Sequence, residues 1–407
     1  MNIEVVKQGV EFETYIRKIE DIKEAEIKFK NGYNYIVKTE NIPNIIYKLL
    51  SKDYVWKKCH WDTGKAVEID TKPHDSLEAL KKNIENIFTR VYDYCEKNNY
   101  VCMMIANTPV SGYGGGHIHN STKRLKSWDL ARKLYPFQPF ISLLGQNSSF
   151  EKITSLFPYS LSGTPYEYRI VFNKYIHTNR RDTRITFQDG GFSIKPDFEN
   201  GMLYPDKVAI TDTKGTLEVR FPSVSSLYQS LGVATFIKAC LFQKGTYLQK
   251  DTTEEIDDVL IDITTKVPKY GSKTLVGIRY KKKKYIITLG KLFGLLLTTP
   301  IFKEGLDKAL SELDSSTISK VLNFYSIFTK NLSMTDYYDA LLKNKHILNK
   351  CIKLHELARD EFYKHREIVS RCRPYSRVSF SNAFIPTIPS ELFEIEEEKV
   401  IKLKENK

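Results

Sequence analysis

Along GVEFETYI, residues 9–16, apolar and polar side chains alternate with the period of two expected of a half-buried strand, and AVEIDT at 66–71 repeats the pattern. Between them VKTENIPNIIYKLL predicts a short helix opening near Pro43, where a missing N–H is harmless. From Asp75 the period changes. Leu77, Leu80, Ile84, Ile87, Phe88 and Val91 recur at helical spacing, with Asp75 as the expected cap three residues before Glu78 and an end near Asn98 and Asn99. YVCMMIA predicts a buried strand, and the cluster Gly112, Gly114, Gly115 and Gly116 turns the chain into the short strand HIHNS.

Further along, residues 121–150 read as mainly helical with a break at Pro136 and Pro139, and 166–219 as extended, closing the main sheet. An apolar helix runs from Ser225 through Leu231, Val233, Phe236 and Leu241. TLVGIRY and YIITL then flank Lys281–Lys284 as a hairpin with a lysine tip. Helical periodicity returns from Phe302 to about Cys372, with Ser333 and Asp336 marking a helix start, and a Pro-punctuated, then Glu- and Lys-rich arm follows. The pattern divides into a sheet-based unit at 1–248, a hairpin-containing insertion at 249–300, and a C-terminal helical region with its arm at 301–407. No internal repeat is visible.

Composition changes this picture only at its edges. An apolar content of 41% with 27% charged residues is that of a globular chain and excludes disorder as the default state. The formal charge of +13 favours anionic partners such as nucleotides, acidic peptides or a nucleic-acid polymer, and is equally compatible with a solvated lysine surface. Six scattered cysteines without a C-x-x-C pair argue against a thiolate zinc site. No basic segment followed by an apolar one opens the chain, and the most apolar stretch, 285–302, is interrupted by Lys291 and two glycines; both point to a reducing, cytoplasmic location and no membrane span.

Residues two apart on a strand project from the same face. Four segments use that spacing for ionisable groups: Glu11 and Glu13 around Phe12, Glu68 and Asp70 around Ile69, His117 and His119 around Ile118, and Glu218 and Arg220 around Val219. Any one pair is ordinarily a solvated strand face. If the four strands share a sheet, carboxylates, imidazoles and a guanidinium converge on one surface, and crowded carboxylates in a partly dry site require compensating cations. Oxygen donors with an occasional imidazole suit Mg²⁺ or Mn²⁺, ions that also hold substrate phosphates. His60, His346, His355 and His365 lack such a context and read as ordinary histidines.

In this order, GVEFE, GKAVEIDT, GGGHIHNS and LEVRFPSVSS resemble the motif segments of the glutamine synthetase and glutamate–cysteine ligase superfamily, with its broader carboxylate–amine ligases. The likeness covers roughly residues 9–240; LEVRFP is its closest part, then the H-x-H-x-S of HIHNS. It implies an α+β fold: a curved, mainly antiparallel sheet with helices on its outer face, making 1–248 a glutamine synthetase-like catalytic domain. It also implies ATP and two or three divalent metals, with Glu11, Glu13 and Glu68 as ligands, and His117 with Glu218 completing a second position. His119 and Arg220 would address phosphate oxygens. HTNRRDTRITF resembles the arginine segment of the family and places Arg184, with either Arg180 or Arg181, near the γ-phosphate or the substrate carboxylate. Asp62 stands near a further family acid at a shorter spacing, and Asp62 and Asp70 are the candidates for the base that deprotonates an amine.

The implied reaction joins a small carboxylate, glutamate by family analogy, to an amine through an acyl phosphate made with ATP. Acceptor choice or homo-oligomer contacts are expected from the C-terminal helical region. Two other readings stand beside it: a guanidino kinase, which would transfer phosphate to nitrogen, and a nucleic-acid-binding protein using the basic surplus and the Lys281–Lys284 tip.

Overall fold

The computed structural model describes residues 5–18, 41–61, 66–103, 116–123, 130, 133–134, 137–145, 187–189, 192–196, 215–219, 222, 224, 227–243, 267, 271–280, 283–329 and 380–381. Its strands are β1 (Lys7–Lys18), β2 (His60–Trp61), β3 (Val67–Asp70), β4 (Tyr100–Met103), β5 (Gly116–Ser121), β6 (Phe187–Asp189), β7 (Phe192–Pro196), β8 (Gly215–Val219), β9 (Leu275–Tyr280), β10 (Lys283–Thr288) and β11 (Phe380–Ser381). The helices are α1 (Ile42–Tyr54), α2 (Leu77–Lys97), α3 (Gln138–Leu144), α4 (Leu227–Phe242), α5 (Leu289–Thr298), α6 (Pro300–Leu310) and α7 (Ser315–Thr329). The fold is α+β. The main sheet runs β2-β3-β1-β5-β8-β7-β6 with β4 also paired to β1, and its pairings are antiparallel.

Long β1 organises the sheet. Residues 11–14 pair with β3, residues 15–18 with β4, and residues 7–12 with β5 along the opposite edge. Its even-numbered side chains Val10, Phe12 and Ile16 are buried together with Val67, Ile69, Ile118, Leu217 and Val219. Helix α2 covers this layer through Leu80, Ile84, Ile87 and Val91, and the rings of Phe88 and Phe12 meet edge-on with centroids 5.1 Å apart. Each such side chain contributes about 1.5–3 kcal/mol by leaving water. On the same side Gln8 donates to Asn120 Oδ1 at 2.9 Å and to the Ala234 carbonyl at 3.0 Å, tying β1 and β5 to α4.

Helix α4 is buried from Gln229 to Phe242, its polar residues Gln229, Ser230, Thr235 and Lys238 included. Phe236 at its centre packs among Phe137, Phe140, Phe293 and Phe302, and Tyr325 donates to the Gly232 carbonyl at 2.6 Å. One continuous core therefore joins residues of the sheet, of α5 and of α6 and α7. Lys238 lies in this core at 1% side-chain exposure, 2.6 Å from Glu312 Oε2, and donates to the Asp75 carbonyl at 2.9 Å. Glu312 in turn accepts the Leu77 N–H at 2.8 Å, satisfying the open N-terminus of α2. Burial lowers the Lys238 pKa, against the opposing pull of Glu312.

Two expectations need correction. Asp75 does not cap α2: Ser76 does, accepting the Ala79 N–H at 3.2 Å, because it alone stands three residues before the open donor. Pro139 sits in the first turn of α3, where no N–H is required, so a helix opens at the expected break; Pro136 lies outside the described residues. Lys283 and Lys284 belong to β10, so less of the lysine run than expected is available for a tip; Lys281 and Lys282 lie outside the described residues. The helix start at Ser333 lies outside them as well, while within the expected arm Phe380–Ser381 pairs in parallel with β9. Among the described residues no helix is long and apolar enough to cross a membrane.

Candidate metal and phosphate site

Cross-strand register brings the paired residues together. Glu11 lies opposite Asp70 on one neighbour and His117 on the other, Glu13 lies opposite Glu68, and His119 lies opposite Glu218. Directly opposed residues share a face. Seven polar side chains from β1, β3, β5 and β8 thus occupy the face turned away from Phe12 and α2. Glu11, Glu13, Glu68, His117 and Glu218 are all buried.

Glu11 is the hub. Its Oε1 lies 3.2 Å from His117 Nδ1 and its Oε2 2.9 Å from His119 Nε2, while His117 Nδ1 is also 2.9 Å from Glu218 Oε1. Burial works to raise the Glu11 pKa, but hydrogen bonds and charge from His117 and His119 outweigh it and hold the carboxyl well below the usual range. Three ligand triads share this residue: Glu11, Glu13 and His117; Glu11, His119 and Glu218; and Glu11, Glu68 and Asp70. Within each the donor atoms lie within 4.8 Å of one another.

The third triad differs from the others. Lys57 Nζ sits 2.5 Å from Glu68 Oε1 and 2.9 Å from Asp70 Oδ2, and His60 Nε2 lies 3.3 Å from Glu68 Oε2. Burial opposes the Lys57 ammonium, yet the Asp70 and Glu68 charges prevail and hold its pKa above the usual lysine range. Asp70 is pushed up to about 8 by burial and by the neighbouring Glu11 and Glu68 charges. Its Oδ1 is buried without a hydrogen-bond donor among the described residues. Burial, with the Asp70 and Glu68 charges, pushes the Cys59 thiol up to about 12. Crowded acids, an undersupplied oxygen and an oxygen-rich donor set with imidazoles fit Mg²⁺ or Mn²⁺.

All five sequence-predicted metal ligands, and His119, come together here. His119 stands with the carboxylates in a triad with Glu11 and Glu218. Asp62, Arg180, Arg184 and Arg220 lie outside the described residues. Lys57 and His60 are additions that the sequence reading misses. The signal available for His60 is its position opposite Glu68 across a two-residue strand. Lys57 follows a helix without any periodic pattern.

Gly116, at the head of β5, is required by close packing of the backbone. A Cβ there would stand 2.3 Å from the Val224 carbonyl oxygen and 2.5 Å from its nitrogen. The Val224 N–H reaches the Gly116 carbonyl at 3.4 Å, so the segment after β8 folds back over the start of the histidine strand. Gly116→Ala should therefore destabilise the chain by about 1–3 kcal/mol, the usual cost of overpacking, and weaken Mn²⁺ binding along with it. Urea unfolding with and without Mn²⁺ checks both; full stability in the variant would mean that Val224 moves aside freely.

No protein-family model matches the chain, and no curated protein matches it. Among solved structures, a glutamate–cysteine ligase from Francisella tularensis in complex with AMP is similar at 11% identity and a TM-score of 0.50, over 99% of this chain and 97% of that one. A complex of the prokaryotic ubiquitin-like protein Pup with its ligase PafA follows at 11% identity and a TM-score of 0.38, over 97% and 75%. Apo GmaS is similar at 12% identity and 0.31, over 84% and 73%.

Proposed function

We propose that this chain, whose fold is of the glutamine synthetase and carboxylate–amine ligase kind, is an ATP- and Mg²⁺-dependent ligase that joins a carboxylate to an amine. The observation that carries the reading is the single face on which Glu11, Glu13, Glu68, Asp70, His117, His119 and Glu218 converge, with Glu11 shared by three triads. Glu11, Glu13, His117 and Glu218 would hold the metal, and Glu68, expected from the sequence as a further ligand, lines the same face with Lys57 and His60 against its oxygens. Bound there, a divalent ion offsets the charge of ATP phosphates during phosphoryl transfer.

The remaining work belongs to side chains. A carboxylate becomes an acyl donor once its oxygen takes the γ-phosphoryl group of ATP and ADP leaves; the amine then attacks the carbonyl carbon, phosphate leaves, and a proton is lost from nitrogen. Arg220 and Arg184, with Arg180, are assigned to the transferring phosphoryl oxygens or the substrate carboxylate, since a guanidinium fork suits both. His119 is assigned beside the phosphates. Asp62 and Asp70 are the base candidates; at Asp70 burial and the Glu11 and Glu68 charges push the carboxyl up to about 8, so it can take up a proton there.

The test is an acceptor and donor screen on the full chain with ATP and Mg²⁺, measuring ADP and phosphate together and products by mass. Equal ADP and phosphate release that requires both a carboxylate and an amine supports the ligase. ADP without phosphate identifies a kinase, and salt-dependent nucleic-acid binding without turnover identifies a binding protein.

A further inference from the structure

We infer that Lys57 is a built-in cation of the acidic face: its ammonium is held by Glu68 and Asp70 of the third triad, so the site loads two divalent ions and not three. The inference rests on the reading of this face as a metal site and fixes how many ions it takes.

The backbone before Lys57 is laced to the strand that bears its partners. Helix α1 kinks at Ser51, with φ of 55°, and ends at Tyr54, after which Val55 bridges to Thr71. Trp56 N–H donates to the Asp70 carbonyl at 3.0 Å, and Lys72 N–H to the Tyr54 carbonyl at 3.4 Å. Lys57 follows at once, so its side chain starts from a fixed point beside the end of β3. Nζ then reaches one oxygen each of Glu68 and Asp70, and His60 from β2 faces the second Glu68 oxygen. Both Glu68 oxygens are thereby engaged by residues 57–60.

Charge agrees with the geometry. At the corner of Glu68 and Asp70 the Lys57 ammonium already supplies the cation that two crowded acids require. A third ion in place of the ammonium would have to displace two ion pairs of which the anions are almost fully shielded, at 6% and 11% exposure. The other two triads each include a histidine, a donor that lends itself to a metal.

The experiment counts Mn²⁺ on the full chain by equilibrium dialysis, with the free hydrated ion read by its magnetic resonance signal. The parent and Lys57→Arg, which keeps the charge, should bind two ions, and Lys57→Met should gain a third. A parent that binds three, or a Lys57→Met chain that binds the same number as the parent, overturns the inference while leaving the metal site intact. A parent that binds no Mn²⁺ overturns the metal reading and the inference with it. Lys57→Gln provides the same count should the methionine variant fold poorly.

Discussion

Glu11→Gln should abolish the response of the protein to divalent metal. One carboxylate oxygen pair serves three triads, so a single neutral substitution removes charge from every ligand group at once. In the parent, Mn²⁺ at about a hundredfold excess over its Kd should stabilise the fold by about 2.7 kcal/mol, a shift visible as a rise in Tm. In the variant that rise should vanish, and turnover in the ligase assay should fall by at least about 10²–10³, the loss typical of removing one group that stabilises transferring charge. Without metal the variant should be modestly less stable, because His117 and His119 favour the ionised Glu11. Melting curves in chelator and in Mn²⁺ separate the effects. An undiminished Mn²⁺ response would show that the three triads do not bind through Glu11.

The largest stability effect is expected far from this face. Glu312→Ala strands the Lys238 ammonium at 1% exposure and leaves the Leu77 N–H at the start of α2 without its acceptor. Breaking one side of a fully buried ion pair costs about 3–5 kcal/mol, and the 21% exposure of Glu312 places this loss toward the lower end. Replacing both partners, Lys238→Met with Glu312→Leu, removes the stranded charge and should recover much of that loss. Chemical denaturation of the single and double variants checks it. A double variant no more stable than Glu312→Ala would place the cost in helix α2 instead of in the ion pair.

Much of the acidic face was legible because strand alternation is a local rule. Glu11 with Glu13, and His117 with His119, declare a shared face from their spacing alone, and antiparallel pairing does the rest. Which carboxylate becomes the hub depends on register across three strands, which no local pattern states. Lys57 escapes for a different reason: it lies in an irregular run whose position is set by hydrogen bonds to residues 70–72, contacts between segments with no common period. Ser76 and Asp75 show a finer ambiguity. Either residue type can cap, and the choice of Ser76 leaves the Asp75 carbonyl to receive Lys238 from α4.

The pairing of β1 carries a further consequence for how the chain folds. Sliding β1 by one residue against β3 and β5 would turn Glu11 and Glu13 into the layer now filled by Phe12, Ile69 and Ile118, and push Phe12 out among the acids. Burying even one unpaired carboxylate there costs several kcal/mol. The groups assigned to chemistry therefore also police assembly: a misaligned first strand is rejected by its own charges, and the alignment that survives is the one that builds the site.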